Sequence, residues 1–155
     1  MTEVHESAFI DSSVDMGLNE IVNLTVPSLP AYVSVVRLTV SAMASRCGFD
    51  IEAIEDIKVA ITEAVTNAVV HTQGNNSSKI NIESSFNYLN KQLTIKIEDQ
   101  GPGFDSNSIK TPDISKLQSG GLGLFIIRSL MDEVNLDTTV GQGTCIVMKK
   151  KLGGN

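Results

Sequence analysis

From Glu20 to Val26 apolar and polar residues alternate, with Val22, Leu24 and Val26 set against Asn23 and Thr25; this is the period of a half-buried strand, which Pro27 and Pro30 terminate. Tyr32 to Cys47 contains neither Gly nor Pro, and Gly48 stands where a helix C-cap belongs, so the stretch predicts a helix despite its β-branched residues. A second helix follows from an Asp50 N-cap to about His71, because Ile54, Ile57, Ile61, Ala64 and Ala68 recur at three- and four-residue steps. Thr72 to Ser78 reads as a loop. Lys79 to Phe86 and Gln92 to Glu98 predict a hairpin turning at Asn87 to Lys91, with Leu93, Ile95 and Ile97 alternating in its second strand. Asp105 to Ser119 is polar, contains Pro112 and shows no period, the pattern of a mobile loop. A third helix is expected after Gly120, ending near Glu133. Val134 to Val140 and Thr144 to Lys149, joined at Gly141-Gln142-Gly143, predict a second hairpin, and Lys149-Lys150-Lys151 reads as the start of a solvated tail.

Strands and helices in this order predict an α/β (α+β) two-layer sandwich, with helices packed on one face of a mixed sheet. Residues 1–17 show no sustained period and are expected to form a loose leader, followed by one domain over 18–150 and a tail over 151–155. A chain of 155 residues needs no second domain and can hide roughly 70% of its unfolded surface in one core.

Three motifs carry candidate chemistry. In the second helix, Glu63, Asn67 and His71 fall at i, i+4 and i+8, on a face away from the apolar one. A side-chain amide oxygen there can take one Mg²⁺ position while phosphate oxygens and water fill the rest, and a carboxylate one turn away can orient or deprotonate a nucleophile. Taken alone, the pattern is also that of an ordinary amphipathic helix with a solvated polar side. The second motif, Asp99-Gln100-Gly101-Pro102-Gly103, ends a strand. A buried Asp99 would accept a hydrogen bond from an exocyclic amine and so select adenine over guanine, while two glycines admit a ligand close to the backbone; the same residues also make an ordinary turn. The third, Gly120-Gly121-Leu122-Gly123-Leu124, opens onto the apolar helix of Phe125, Ile126, Ile127, Leu130 and Met131. Free amides and the positive end of the helix dipole make such a start a phosphate site, with Lys110 and Lys116 as closing charges; a flexible hinge is the plainer reading. The Gly-Lys-Ser/Thr of a P-loop is missing and the glycines follow a loop rather than a strand, so neither Walker nor Rossmann binding fits.

Composition narrows the classes. With 41% hydrophobic and 19% charged residues and a net charge of -6, the chain is that of a soluble globular protein ill suited to unaided nucleic-acid binding. Cys47 and Cys145 form no Cys-x-x-Cys pattern and read as free buried thiols in a reducing compartment. With neither a signal-peptide core nor a membrane-length apolar run, a cytoplasmic location is expected.

In this order the three motifs resemble the ATP-binding domain shared by gyrase, the Hsp90 chaperones, histidine kinases and MutL. The chain is most similar to the anti-sigma factors that are also serine-protein kinases, the anti-sigma-B factors of Gram-positive bacteria. The similarity covers about residues 20–150 and is carried by Tyr32 to Thr39, Glu63 to His71, Gly120 to Leu124, and Leu130 to Val134. It implies a Bergerat-type fold binding ATP and Mg²⁺ between the helix layer and a lid. Asn67 would hold the metal, Glu63 would be the general base toward a substrate serine, and Asp99 would hold the adenine amine. Gly101 and Gly103 would shape that pocket, Asp105 to Ser119 would form the lid, and Thr144 would support the adenine side. Gly120 and Leu122 to Leu124 belong to the same glycine motif, with Gly121 and Gly123 at the phosphates. The resemblance further implies a homodimer that holds a sigma factor away from RNA polymerase and phosphorylates a serine of an anti-anti-sigma protein, with Arg37 at a partner-contact position. One departure from the family pattern is Thr72-Gln73 after His71, where Ala or Gly and an aromatic residue are common. Other readings are a histidine-kinase catalytic domain, a related switch-type kinase of a stress-sensing complex, and a sequestering module in which no phosphate moves. Against the first, no linked dimerisation helix is evident, and neither His5 nor His71 is a credible phosphoacceptor.

Overall fold

The structure is a computed structural model that describes residues 19–72, 77–100, 121–139 and 143–153. The leader, Gly101, Gly103, Gly120, the Asp105 to Ser119 lid with Lys110 and Lys116, and Gly141-Gln142 lie outside the described residues.

Strand β1 (Asn19–Pro27) leads through a 3₁₀ turn (Pro30–Tyr32) into α1 (Val33–Arg46), then α2 (Ile51–His71), the hairpin β2 (Lys79–Asn87) and β3 (Gln92–Asp99), α3 (Gly121–Leu130), and the hairpin β4 (Glu133–Thr139) and β5 (Gly143–Lys151). Asp50 caps α2 as expected, its carboxylate accepting from the Ala53 amide at 2.8 Å, and Gly48 follows α1 with φ +101°.

The sheet order is β1-β2-β3-β5-β4, and every neighbouring pair is antiparallel. The two-layer sandwich is as expected, but the mixed sheet is not. Two successive helices return the chain to the end of β1, where Pro27 pairs with Lys79, so β2 starts beside the point at which β1 stopped. On the other side, β3 and β4 run the same way, but β5 inserts between them and pairs antiparallel with both.

The three helices cover one face. Val36, Val40 and Ala44 of α1, Ile57, Ile61 and Val65 of α2, and Leu124 and Ile127 of α3 meet Ile80, Ile82, Phe86, Leu93, Ile95, Ile97, Ile146 and Met148 of the sheet. Truncating any fully buried isoleucine of this layer would cost about 2–5 kcal/mol. The opposite face is polar: a shallow hollow of ≈ 330 Å³ there is bordered by Asn23, Thr25, Asn81 and Glu83, with Lys96 and Glu98 paired at 2.7 Å.

Two expectations change at the C-terminal end. Helix α3 stops at Leu130 rather than near Glu133, because the chain is drawn into the sheet: the Asp132 amide donates to Lys149 O at 2.9 Å and Glu133 pairs with Lys149. The lysine run is part of β5, not a solvated tail. The Lys150 side chain is only 13% exposed and its ammonium donates to Leu130 O at 2.6 Å. Thr72, the departure from the family pattern, has a structural role: its buried hydroxyl donates to Val69 O at 3.0 Å and also bonds Ser28, closing the C-terminal turn of α2.

Candidate functional site

The polar face of α2 lies under the start of α3. The apolar residues of α2 face the sheet, which turns Asn67 and His71 toward the cleft between α2, α3 and the ends of β3 and β5, and Glu63 toward Gly123 of α3 outside the cleft lining. At the α3 end, a Cβ added to Gly123 would lie 3.0 Å from Glu63 Oε2, 3.1 Å from Asn67 Nδ2 and 3.5 Å from Asn67 Oδ1. The acid and the amide therefore converge on one backbone position in the first turn of α3. That turn carries the unpaired amides and the positive end of the helix dipole, so a carboxylate, a carboxamide oxygen and an anion-attracting backbone meet at one place. Gly121 and Leu122 open this turn half-buried, and Leu124 turns inward to the core.

One turn further along α2 the surroundings become apolar. Ala64, Ala68, Ile97, Leu124, Leu136 and Ile146 wall a narrow pocket of ≈ 30 Å³, to which Asn67, His71, Asp99 and Thr144 bring the polar groups. Asp99 is 6% exposed. His71 Nδ1 lies 3.6 Å from Asp99 Oδ2, so the last member of the Glu63-Asn67-His71 series faces the carboxylate end of the cleft rather than Gly123. Thr144 pairs with Asp99 across β3 and β5, and its hydroxyl lies 3.4 Å from that of Thr138.

Gly143, which in the sequence reads as part of a turn, supports this end of the site. Its φ is +92°, and a Cβ there would lie 2.3 Å from the Asp99 carbonyl oxygen. A residue without a side chain lets β5 pass close beside the strand end that holds Asp99. The wall residues Leu136 and Ile146 are not legible as site residues in the sequence, because an alternating strand does not reveal which helix its apolar side meets. Arg37 is half-buried on α1 between the exposed Val35 and Leu38, and is not among the residues lining the pocket. The thiols of Cys47 and Cys145 are both pushed up, by burial first and then by Glu20 and Glu98 respectively, which keeps little thiolate at neutral pH.

A helix carrying an acid and an amide, a buried aspartate at a strand end, a glycine-rich helix start and a layer of helices on an antiparallel sheet together define an ATP-binding domain of the histidine-kinase type. The sequence profile of the histidine kinase-like ATPase domain matches residues 26–150, and the chain belongs to that family. Within it, the chain is similar to the serine-protein kinase RsbW of Oceanobacillus iheyensis, 42% identical over 140 residues that cover 84% of this chain and 86% of the relative. The RsbW of Listeria innocua is 37% identical over 144 residues, covering 87% and 89%, and that of Staphylococcus aureus 41% identical over 125 residues, covering 76% and 79%. Among solved structures, the RsbU and RsbW domains of a Mycobacterium tuberculosis protein superpose with a TM-score of 0.65 at 19% identity, covering 86% of this chain and 32% of that one. The catalytic domain of histidine kinase ThkA superposes with a TM-score of 0.52 at 16% identity, covering 86% and 97%. These two likenesses concern the fold.

Proposed function

We propose that this chain is an ATP-dependent protein-serine kinase and anti-sigma factor. It holds a stress-response sigma factor and phosphorylates a serine of the anti-anti-sigma protein that competes for it. The observation that carries the kinase reading is the convergence of Glu63 and Asn67 on Gly123, together with the identity to serine-protein kinases along most of the chain. The partners rest on the resemblance to the RsbW proteins, as do a homodimer and a cytoplasmic location. Among the described residues, no helix is long and apolar enough to cross a membrane.

ATP would lie along the cleft with adenine between the Ala64, Ala68 and Ile146 walls, which have to part beyond their present ≈ 30 Å³ to take a purine, and its amine on Asp99, which accepts hydrogen bonds and offers none when ionised. The apolar walls exclude water from that contact and so strengthen it. The phosphates would reach the amide end of α3. The donor set fits a hard cation there: Asn67 offers one amide oxygen, and phosphate oxygens and water are its natural companions. Among the described residues, no group of three or more His, Cys, Asp or Glu could hold a metal by itself. When bound, Mg²⁺ supplies charge neutralisation at the phosphates.

Glu63 then has the geometry of a general base. It would take the proton from the serine hydroxyl as that oxygen bonds to the γ-phosphorus, while the bond from the γ-phosphorus to the bridging oxygen breaks and ADP leaves with the electron pair. His71 lies inside the pocket against Asp99 and is ill placed to receive a phosphoryl group from a second molecule.

The deciding experiment incubates the protein with labelled ATP and an anti-anti-sigma protein, beside a sigma-factor pull-down, for the wild type and Glu63→Ala. Label on serine is expected, falling by about 10²- to 10⁴-fold in Glu63→Ala while ATP binding is kept. Unchanged transfer would remove Glu63 from the mechanism. Label on histidine would support the histidine-kinase reading, and sigma capture without label would leave a sequestering module.

A further inference from the structure

We infer that Lys150 is a positioning residue for nucleotide binding, acting through the far end of α3. The inference rests on the proposed ATP site, in which the start of α3 faces the phosphates.

Helix α3 has 10 residues and spans about 15 Å. Its first turn lies against the Glu63 and Asn67 side chains at Gly123, where a Cβ would come within 3.0–3.1 Å of them. At its other end, the Lys150 ammonium donates to Leu130 O at 2.6 Å and stands 3.6 Å from Asp56 Oδ2 of α2. Asp56 and Glu63 are seven residues apart, two turns along one side of α2. The helix is therefore referenced to α2 at both ends, by Gly123 against Glu63 and Asn67 and by Leu130 through Lys150 to Asp56. The two contacts fix α3 antiparallel to α2 and limit how far it can slide along its own axis.

Packing alone leaves that freedom open. Leu124 and Ile127 bury the inner side of α3, and apolar contact is non-directional. A cation on a terminal carbonyl is directional: it satisfies an acceptor without an intrahelical partner and sits at the negative end of the helix dipole. The neighbouring chain holds Lys150 in place, since the Asp132 amide donates to Lys149 O at 2.9 Å and the Lys151 amide donates to Asp132 Oδ2 at 2.6 Å. The side chain is 13% exposed, so its charge is poorly screened and replacing it removes more than a solvated group. Axial drift of α3 would move its first-turn amides relative to Asn67, which loosens the grip on phosphate before it disturbs the protein substrate.

The test measures KM for ATP, KM for the anti-anti-sigma protein, and the melting temperature of the full chain as wild type, Lys150→Met, Lys150→Arg and Asp56→Asn, with Asn67→Ala alongside. Lys150→Met is expected to raise KM for ATP about tenfold and to leave KM for the protein substrate unchanged, with Lys150→Arg restoring most of the loss. A lower melting temperature with an unchanged KM for ATP would make the contact purely structural and overturn the inference. If Lys150→Met does not fold, Asp56→Asn decides: a KM for ATP raised about two- to fivefold supports the clamp, and an unaltered value overturns it. Asn67→Ala separates the two readings. Normal ATP affinity in that variant sinks the site assignment itself, whereas lost affinity there with a normal Lys150→Met sinks the clamp alone.

Discussion

Gly123 stands tight against Asn67: a methyl group on it would lie 3.1 Å from the Asn67 amide nitrogen, and 3.0 Å from the carboxylate of Glu63 on the preceding turn, so those side chains would have to give. The obstructing atoms are the ends of flexible side chains, so Gly123→Ala is expected to fold. Alanine in a helix is favoured over glycine by about 0.5–1 kcal/mol, which offsets the crowding. The displaced Asn67 amide no longer sits where a metal-bound phosphate needs it, and such misplacement costs about tenfold or more in nucleotide affinity. Calorimetric ATP affinity and thermal melting on the same sample check this pairing of retained stability with lost binding. Wild-type affinity in a folded Gly123→Ala protein would show that the close approach has no bearing on the nucleotide.

Gly143 stands in a harder position, because the atom nearest its missing Cβ is a backbone one. With φ at +92° and the Asp99 carbonyl oxygen 2.3 Å from where a methyl group would stand, no rotamer change can make room. Gly143→Ala should lose about 2–4 kcal/mol of folding stability, read as a lower denaturation midpoint at unchanged slope. A variant as stable as the wild type would mean that the start of β5 shifts freely beside Asp99.

These two glycines mark where the sequence is legible and where it is not. Gly123 belongs to a glycine cluster opening an apolar helix, a local pattern with a stated mechanism, and Glu63 and Asn67 share a helical period; all three meet in space. Gly143 has the local pattern of a hairpin turn, because its close approach is to a residue 44 positions earlier in the chain. The expected mixed sheet fails for the same reason. The two helices between β1 and β2 are legible in the sequence, but β5 slotting between β3 and β4, antiparallel to both, leaves no local trace. A run of lysines at the end of a sequence likewise has no partner in view, whereas the partners of Lys150 are a carbonyl of α3 and a carboxylate of α2.

Tyr88 gives a prediction on the alkaline side. Its hydroxyl donates to Glu20 Oε2 at 2.6 Å, and Glu20 also holds Arg46 at 2.8 Å, so one carboxylate joins the ends of β1, α1 and β2. That hydrogen bond favours the protonated phenol and pushes the Tyr88 pKa up to about 12 from 10.0. A group whose folded pKa is raised contributes stability fully present below its unfolded pKa and lost as pH rises through the folded one, here between about pH 10 and 12. Stability should fall across that window, and the fall should be shallower in Tyr88→Phe. Denaturant midpoints at stepped alkaline pH measure it, and identical slopes in the two proteins would remove Tyr88 from the linkage.

Asp99 makes the sharpest statement about the ligand. It is 6% exposed, beside His71 at 3.6 Å and among apolar walls, so whatever it bonds is desolvated with it. An ionised carboxylate accepts and does not donate, which suits the exocyclic amine of adenine and leaves the guanine carbonyl facing a negative charge without a proton between them. Asp99→Asn keeps the shape, removes the charge and adds an NH₂ that can donate to that carbonyl. ATP affinity is expected to drop about 10- to 100-fold, the worth of a hydrogen bond to a charged group, while GTP affinity falls less or rises. Competition between the two nucleotides in wild type and variant reads the change in preference directly. Equal discrimination in both proteins would mean that the base is recognised elsewhere in the cleft, and that the buried aspartate serves the strand end rather than the purine.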